Sequence, residues 1–320
     1  MTGSALPRIV VLHAAVVAIL LAAAFLLPDY HRLVVSRVLV LAVFAMGYNL
    51  LFGYVGLLSL GHAMFFSAGL YGAGMAVAQL GWGPAGGFLA GLGAGAVLAA
   101  IVGMLALRTS GVAFMIVTMM FAQVLYLTVL YFAGLTGGDE GFVLPQPSRQ
   151  LTLGPLFLDL TQPTTRYLAA LGLFSVVLVA TVAIVRSGLG RVLIAIRENE
   201  ERARMLGYDA FANKLLAVIL SGAICAAAGA AYALLFGYVG ASFASVQYSI
   251  LPLLWVLLGG AATTLGPLVG TLLMTYVVDW ASSATSASLF FVGLALILSI
   301  LFFPKGLLGS LRTRFVGWLP

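Results

Sequence analysis

The polar side chains with chemistry to offer are few, and they gather at two places. Asn49, Ser59 and His62 lie beside Gly53 and Gly56, while Ser242, Gln247 and Ser249 lie beside Gly237 and Gly240. Each place ends an apolar run, and the text there is the same. Leu50-Leu51-Phe52-Gly53-Tyr54-Val55-Gly56 recurs unchanged as Leu234-Leu235-Phe236-Gly237-Tyr238-Val239-Gly240. Two glycines three apart loosen a helix, because Gly disfavours helical structure by about 1 kcal/mol relative to Ala. Backbone groups freed at membrane depth must then find protein or water partners. Paired glycine-interrupted segments in two halves of a chain point to a translocation site. Asn49, Gly53, Gly56, Ser59, His62, Gly237, Gly240 and Gln247 are therefore the candidates for a translocation pathway. Singly, each polar group is equally served by an interhelical hydrogen bond; their clustering at both breaks is what points to a path.

Other chemistries are poorly supplied. His62 as a metal ligand lacks partners, since His13 and His31 lie near the first apolar run and no His-Glu-x-x-His pattern occurs. No metal site and no catalytic residue is expected. His62 reads instead as a helix-terminal histidine near a pore or bonded to a backbone carbonyl. Cys225, the single cysteine, excludes an intramolecular disulfide. A nucleotide-binding loop needs Gly-Lys-Ser/Thr, and the two lysines follow Asn213 and Pro304. Nearly all nine acidic residues fall in loops or at the ends of apolar runs, Asp279 being the deepest. Ion-coupled carriers and proton relays keep buried carboxylates for a purpose, and intramembrane acid–base enzymes need reactive pairs. The chain is thus expected to be no enzyme and to bind no cofactor of its own.

The elements that must position these groups are membrane helices. The 320 residues are 63% hydrophobic and 8% charged, with a mean hydropathy of +1.16. Ordinary globular domains are about 25% charged. A net charge of +6 in such a chain records topology, because cytoplasmic loops collect Lys and Arg; nucleic acid is not an expected partner. Runs near the ~20 residues needed to cross a bilayer lie at 9–27, 38–58, 63–80, 85–107, 112–134, 167–185, 215–236, 267–280 and 288–303, with a shorter one at 246–262. The first follows Arg8 as a signal peptide would, but it ends at Pro28-Asp29 without a cleavage pattern and reads as an uncleaved span. Gly87, Gly91, Gly95, Ala99 and Gly103 form a ridge of small residues suited to close helix packing. The fold class is all-α: a polytopic transmembrane bundle of about nine or ten spans with discontinuous helices.

Ten crossings with both ends inside put eleven Lys and Arg in the cytoplasm and four outside, namely Arg32, Arg37, Arg149 and Arg166. Nine crossings with the N-terminus outside give twelve against three. The difference is whether Ser59-Leu60-Gly61 is a true turn or a kink. Either way, 135–166 faces out and 187–213 faces in. One domain covers 1–320: N-terminal helices over 9–185, a cytoplasmic segment 186–214, C-terminal helices over 215–304, and a tail 305–320. Ten of the 24 charged residues lie between Arg186 and Lys214. Apolar Val192, Leu193, Ile196, Met205 and Leu206 have helical spacing there, and the charged stretch makes an exposed short helix that stops at Gly207. A passive channel for a small polar solute, the rival of a different class, gains nothing from such a docking helix.

Glu201-Arg202-Ala203-x-x-x-Gly207 resembles the Glu-Ala-Ala-x-x-x-Gly loop of bacterial ABC importer permeases, with Arg202 replacing the second motif residue. Ala195-Ile-Arg-Glu-Asn-Glu200 with Leu206-Gly207-Tyr208 is similar to the LivM-type branched-chain amino acid permeases. So are Gly53-Tyr-Val-Gly-Leu-Leu-Ser-Leu-Gly-His62 with Phe65 and Gly69-Leu-Tyr71, Thr136-Gly-Gly-Asp-Glu-Gly141, Leu257-Leu-Gly-Gly260, Leu265-Gly-Pro267 and Phe303-Pro-Lys-Gly-Leu307. The resemblance covers about residues 38–309. It implies a type II ABC importer permease in the bacterial inner membrane, working with a second homologous permease, two cytoplasmic ATPases that carry ATP and Mg, and an external solute-binding protein. It also implies that Arg197, Glu198, Glu200, Glu201, Arg202, Ala203 and Gly207 couple the chain to the ATPase. The external segment 135–166 would help receive the binding protein. Close relatives move leucine, isoleucine and valine, while others take urea, short amides or aromatic acids.

Overall fold

The computed structural model describes residues 6–153 and 156–284, and beyond them 290, 293–294, 297, 301–303 and 305–314. It is an all-α bundle, with six helices among the described residues long and apolar enough to cross a membrane. In chain order the helices are α1 Leu6–Leu26, α2 Asp29–Asn49, α3 His62–Ala78, α4 Pro84–Ala106, α5 Gly111–Tyr131, α6 Ala133–Thr136 and α7 Pro163–Arg186. There follow α8 Gly188–Glu198, α9 Glu200–Met205, α10 Ala210–Phe236, α11 Val246–Gly259, α12 Gly266–Ala284 and α13 Leu307–Arg314. The expected span at 288–303 lies largely outside the described residues.

Burial divides the helices by job. The most apolar 18 residues of the helix that begins at Asp29 are 94% buried, against 17% for α1, 28% for α4 and 22% for α5. A helix that is apolar all round and buried all round is a core helix; the others turn apolar flanks outward, as lipid-facing helices do. The core helix α2 lies antiparallel to α10, with Gly47 against Ser221 and Cys225. The small-residue ridge on α4 is buried as its spacing predicts. A Cβ on Gly91 would come within 2.4 Å of the Gly69 carbonyl oxygen of α3, and one on Gly95 within 2.1 Å of the Ala226 Cβ of α10. Size, and not polarity, lets these three helices meet.

The bundle has two unlike ends. One carries α8 and α9 and the beginnings of α1 and α10; Ile9, Arg191, Arg197 and Arg312 line one cavity there. Both ends of the described chain thus sit at this charged end, the placement that an even number of crossings gives. The opposite end carries two small antiparallel sheets. Strand β1 (Phe142–Val143) pairs with β4 (Tyr238–Val239), and β2 (Gln150–Leu153) with β3 (Leu156–Asp159). Nothing in the apolar runs announces these strands, because pieces of two to four residues carry no periodicity. We call this the hairpin end.

The segment around Ser59 is a true reversal. Gly56 lies against Arg197 of α8 at the charged end, yet His62 already bonds Ser221, eleven residues into α10, and Gly74 reaches Val239 and Phe142 at the hairpin end. Residues 57–61 therefore run back into the bundle as non-helical chain, and α3 begins inside it, parallel to α10.

Candidate functional site

At the first glycine pair, α2 does not stop at Asn49 but widens into a π-helix over Leu50–Val55. Gly56 then ends it in the left-handed conformation, φ 79°, which a side chain would strain. Asn49 is buried, and both ends of its amide are engaged: Nδ2 donates to the Thr263 carbonyl at 2.9 Å, and Oδ1 accepts from the Ala262 N–H at 3.0 Å. That side chain ties the non-helical loop between α11 and α12 to the end of α2. Gly53 is buried between the two; a Cβ there would meet Asn49 Oδ1 at 2.2 Å and the Ala262 nitrogen at 2.6 Å. The Gly53 carbonyl accepts a hydrogen bond from Arg197 Nη1.

Ser59 and His62 close the reversal. Ser59 Oγ accepts from the Gly61 N–H at 3.2 Å and pairs with His62 Nδ1 at 3.1 Å. His62 Nε2 pairs with Ser221 Oγ at 3.0 Å, and that hydroxyl donates to the Gly47 carbonyl at 2.6 Å. The imidazole opens α3 and is fully buried, edge-on to Tyr48 and Phe65. The sequence expectation was a carbonyl-bonded or pore-side histidine; the bonds run instead to two serine hydroxyls. Both ring nitrogens have partners, so the group fixes the reversal in place.

At the second pair, the same seven residues behave differently. Helix α10 stays α-helical through Phe236, and the first glycine of the pair, Gly237, takes the left-handed turn at φ 76°. Three of the last four carbonyls of α10 have partners. Ala233 O accepts from Gly237 N at 2.8 Å, Leu234 O from Arg149 Nε at 2.7 Å, and Leu235 O from Arg149 Nη2. A guanidinium at a helix C-terminus also meets the negative end of the helix dipole. Arg149 is only 6% exposed and comes from a short 3₁₀ turn, Gln146–Arg149. The chain beyond Gly237 pairs with β1, and the Gly237 carbonyl takes the Leu144 N–H at 2.7 Å. Gly240 is buried beside Gly141. Ser249 Oγ, also buried, accepts the Ala63 N–H at 2.9 Å. Gln247 and Ser242 are exposed. Of the eight residues marked for a path, the structure exposes Gly56 and Gln247 and buries the other six.

The charged segment forms two helices, not one. Ser187 caps α8 by accepting from Gly190 N, Asn199 caps α9 by accepting from Arg202 N at 2.8 Å, and Asp209 caps α10 by accepting from Ala212 N at 3.0 Å. Short polar side chains before a helix supply the acceptors its first N–H groups need. Gly207, φ 88°, follows α9. Helix α8 is amphipathic, burying Leu193 and Ile196. Within α9, Ala203 is buried against Ile196 and Ala210, while Glu201 and Arg202 are exposed, as are Glu198 and Gly207 on either side. Glu200 pairs with Arg204 at 2.7 Å and with Lys214 of α10. Burial alone would raise its carboxyl, but the hydrogen bonds and charges of Lys214 and Arg204 outweigh it and hold the group below the usual Glu value. Met205 and Leu206, expected to follow the apolar spacing, are instead 85% and 71% exposed.

Three features that matter here have no signal in the sequence. Arg149 entered only as one of four outside charges, and its reach to α10 had no local signal. Ser221 sits in an apolar span, where one hydroxyl says nothing of its partner. Loop 262–263 offers Asn49 backbone groups only, which no residue type announces.

Comparison with known proteins gives a consistent answer. The chain is 26% identical over 304 residues to the Escherichia coli protein described as the high-affinity branched-chain amino acid transport system permease protein LivM, covering 88% of this chain and 70% of that one. The Salmonella typhimurium protein of the same description is 27% identical over the same shares. A probable branched-chain amino acid transport permease protein LivM of Methanocaldococcus jannaschii is 36% identical over 84 residues, 26% of this chain and 24% of that one. No solved structure matches. The family model for the branched-chain amino acid transport system permease component matches residues 31–300. That span takes in both glycine breaks and the charged segment between them, and the chain belongs to this family of multi-pass membrane permeases.

Proposed function

We propose that the chain is the membrane-spanning subunit of an ATP-driven importer in the bacterial inner membrane. It carries branched-chain or related hydrophobic amino acids handed over by an external solute-binding protein. It assembles with a second homologous permease and with two cytoplasmic ATPases, which hold the ATP and Mg. The descriptions of its relatives as branched-chain amino acid permeases support the substrate class.

The observation that carries the coupling is helix α9. It turns Glu201, Arg202, Met205 and Leu206 outward together, and a lone apolar and charged knob on a six-residue helix suits a partner's socket better than water. Behind it, Ala203 packs on α8, Glu200 holds Lys214 of α10, and Arg197 holds the broken end of α2. A push on α9 thereby reaches both α2 and α10. A passive channel has no use for that linkage.

Glu201→Lys tests the assignment, because Glu201 is exposed and its replacement leaves the fold alone. ATP-dependent leucine uptake into vesicles holding the complete transporter should fall at least tenfold. The amount of inserted protein should not change. Uptake at the normal rate would remove α9 from the coupling path. Competition by unlabelled valine but not by urea is the expected specificity.

A further inference from the structure

At the charged end, a cavity of about 620 Å³ opens among α1, the π-helical end of α2, the corner between α7 and α8, and α13. Its charge is one-sided. Arg186, Arg191, Arg197 and Arg312 line it against a single carboxylate, Glu198. Among the described residues no ion pair neutralises any of the four. Among the described residues, Arg197 and Arg312 each spend one donor on a backbone carbonyl, of Gly53 and Ala262 respectively, out of the five N–H groups that each guanidinium carries. Two further donors lack a partner among the described residues: Arg186 Nη1 and the hydroxyl of Tyr54 are buried without an acceptor there. Buried donors without acceptors are rare in folded proteins and each calls for an explanation.

We propose that this cavity binds a phosphate ester, with the anionic headgroup of a membrane phospholipid as its source. Guanidinium groups match phosphate oxygens two at a time, and basic pockets between transmembrane helices bind anionic headgroups. The position favours a lipid. Helix α1 forms one wall and is the least buried of the membrane-length helices, with Val10 and Val11 turned outward beside Ile9 of the cavity wall. Ile194 adds an exposed apolar group on α8. Acyl chains can follow α1 while the headgroup sits among the arginines. Because Arg197 both lines the cavity and holds the Gly53 carbonyl, the phosphate also steadies the joint between α8 and α2. Assigning the lipid to the cytoplasmic leaflet rests on the proposed orientation; the binding itself does not.

The test uses the full chain, purified in a neutral detergent, with binding followed by native mass spectrometry and by thermal unfolding. Phosphatidylglycerol should bind and raise the unfolding temperature, and phosphatidylcholine should do neither. Arg191→Gln, on the exposed side of α8, should weaken phosphatidylglycerol binding about tenfold, the loss of one charge-assisted contact worth ~1.4 kcal/mol. Arg186→Gln should do the same. Arg108→Gln removes one charge from the same end outside the cavity and should leave binding unchanged. Inorganic pyrophosphate separates the sources. If it binds alone and displaces the lipid, the site takes a soluble phosphate compound; if it does not, the lipid is the ligand. Equal binding by all three arginine variants, or equal binding of both lipids, would overturn the proposal. So would Arg191→Gln retaining lipid and pyrophosphate while losing the ATPase, which would make the cavity part of a protein interface.

Discussion

The two copies of Leu-Leu-Phe-Gly-Tyr-Val-Gly end their helices in different ways at opposite ends of one bundle. The copy at 50–56 is a π-helix that runs through its first glycine and turns at its second. The copy at 234–240 is an α-helix that turns at its first glycine and continues as a strand. Identical residues have identical propensities, so their neighbours decide. Asn49 precedes one copy and binds loop 262–263 across it; Ala233 precedes the other and binds nothing of the kind. What the copies share is an arginine from outside the helix. Arg197 of α8 meets the Gly53 carbonyl, and Arg149 of the hairpin end meets those of Leu234 and Leu235. Each surface segment is thus fastened to the broken end of a helix that belongs to the core.

Four measurements bear on that comparison. The largest effect is expected from Arg149→Ala, which strips a buried cation from two helix-terminal carbonyls. Hydrogen bonds to charged groups contribute about 1.5–3 kcal/mol, so the unfolding free energy of the purified chain should drop by about 3 kcal/mol. A smaller loss than for Arg197→Ala would show that burial does not distinguish the two ends. Asn49→Ala comes next, at about 2 kcal/mol, because it orphans a half-buried N–H and a buried carbonyl at once; Ala233→Asn, its counterpart, should gain nothing. If Asn49→Ala leaves the melting temperature unchanged, the neighbour does not set the π-helix. Arg197→Ala, at an exposed position on α8, should cost only about 1 kcal/mol in denaturant unfolding, yet uncouple ATP hydrolysis from uptake. Unchanged coupling would leave the two arginines with purely structural roles.

The smallest effect concerns pH. Glu200 is held below its ordinary value by Lys214 and Arg204, so its contribution to stability is present above 4.5 and is lost as pH falls through the lowered value. The stability difference between the wild type and Glu200→Gln should therefore be positive at neutral pH and vanish under acid. A difference that persists in acid would show that the pairing, and not the charge, holds α9 to α10.

Much of the fold was legible because lipid imposes a simple rule on sequence. Apolar runs marked α1, α4, α5, α7 and α10 nearly to their ends, and the glycine ridge on α4 named the face that meets α3 and α10. The glycine pairs marked both breaks. Their form was not legible, since a π-turn and an α-turn of one heptapeptide differ only in what lies across from them. Asn49 and His62 stood out as polar residues in apolar text. Their partners, Thr263 and Ser221, are 214 and 159 positions away, beyond any local pattern. Met205 and Leu206 share the helical spacing of Leu193 and Ile196, but spacing alone does not bury a side chain, and both stand exposed at the end of a six-residue helix.

The identical heptapeptides also impose a rule of parity on the chain between them. From Gly56 to Leu234 the backbone travels along α3, α4, α5, α7 and α10, five passes in alternating directions. An odd count is what delivers the same text to opposite ends of the bundle. Insertion or loss of a single span in that interval would bring both copies, and both arginine clasps, to one side of the bilayer. Insertion or loss of a pair would not. Change in this stretch is therefore expected to come in hairpins, and the reversal at Ser59–Gly61, by letting α3 start deep inside the bundle, keeps the count odd with a helix of only 17 residues.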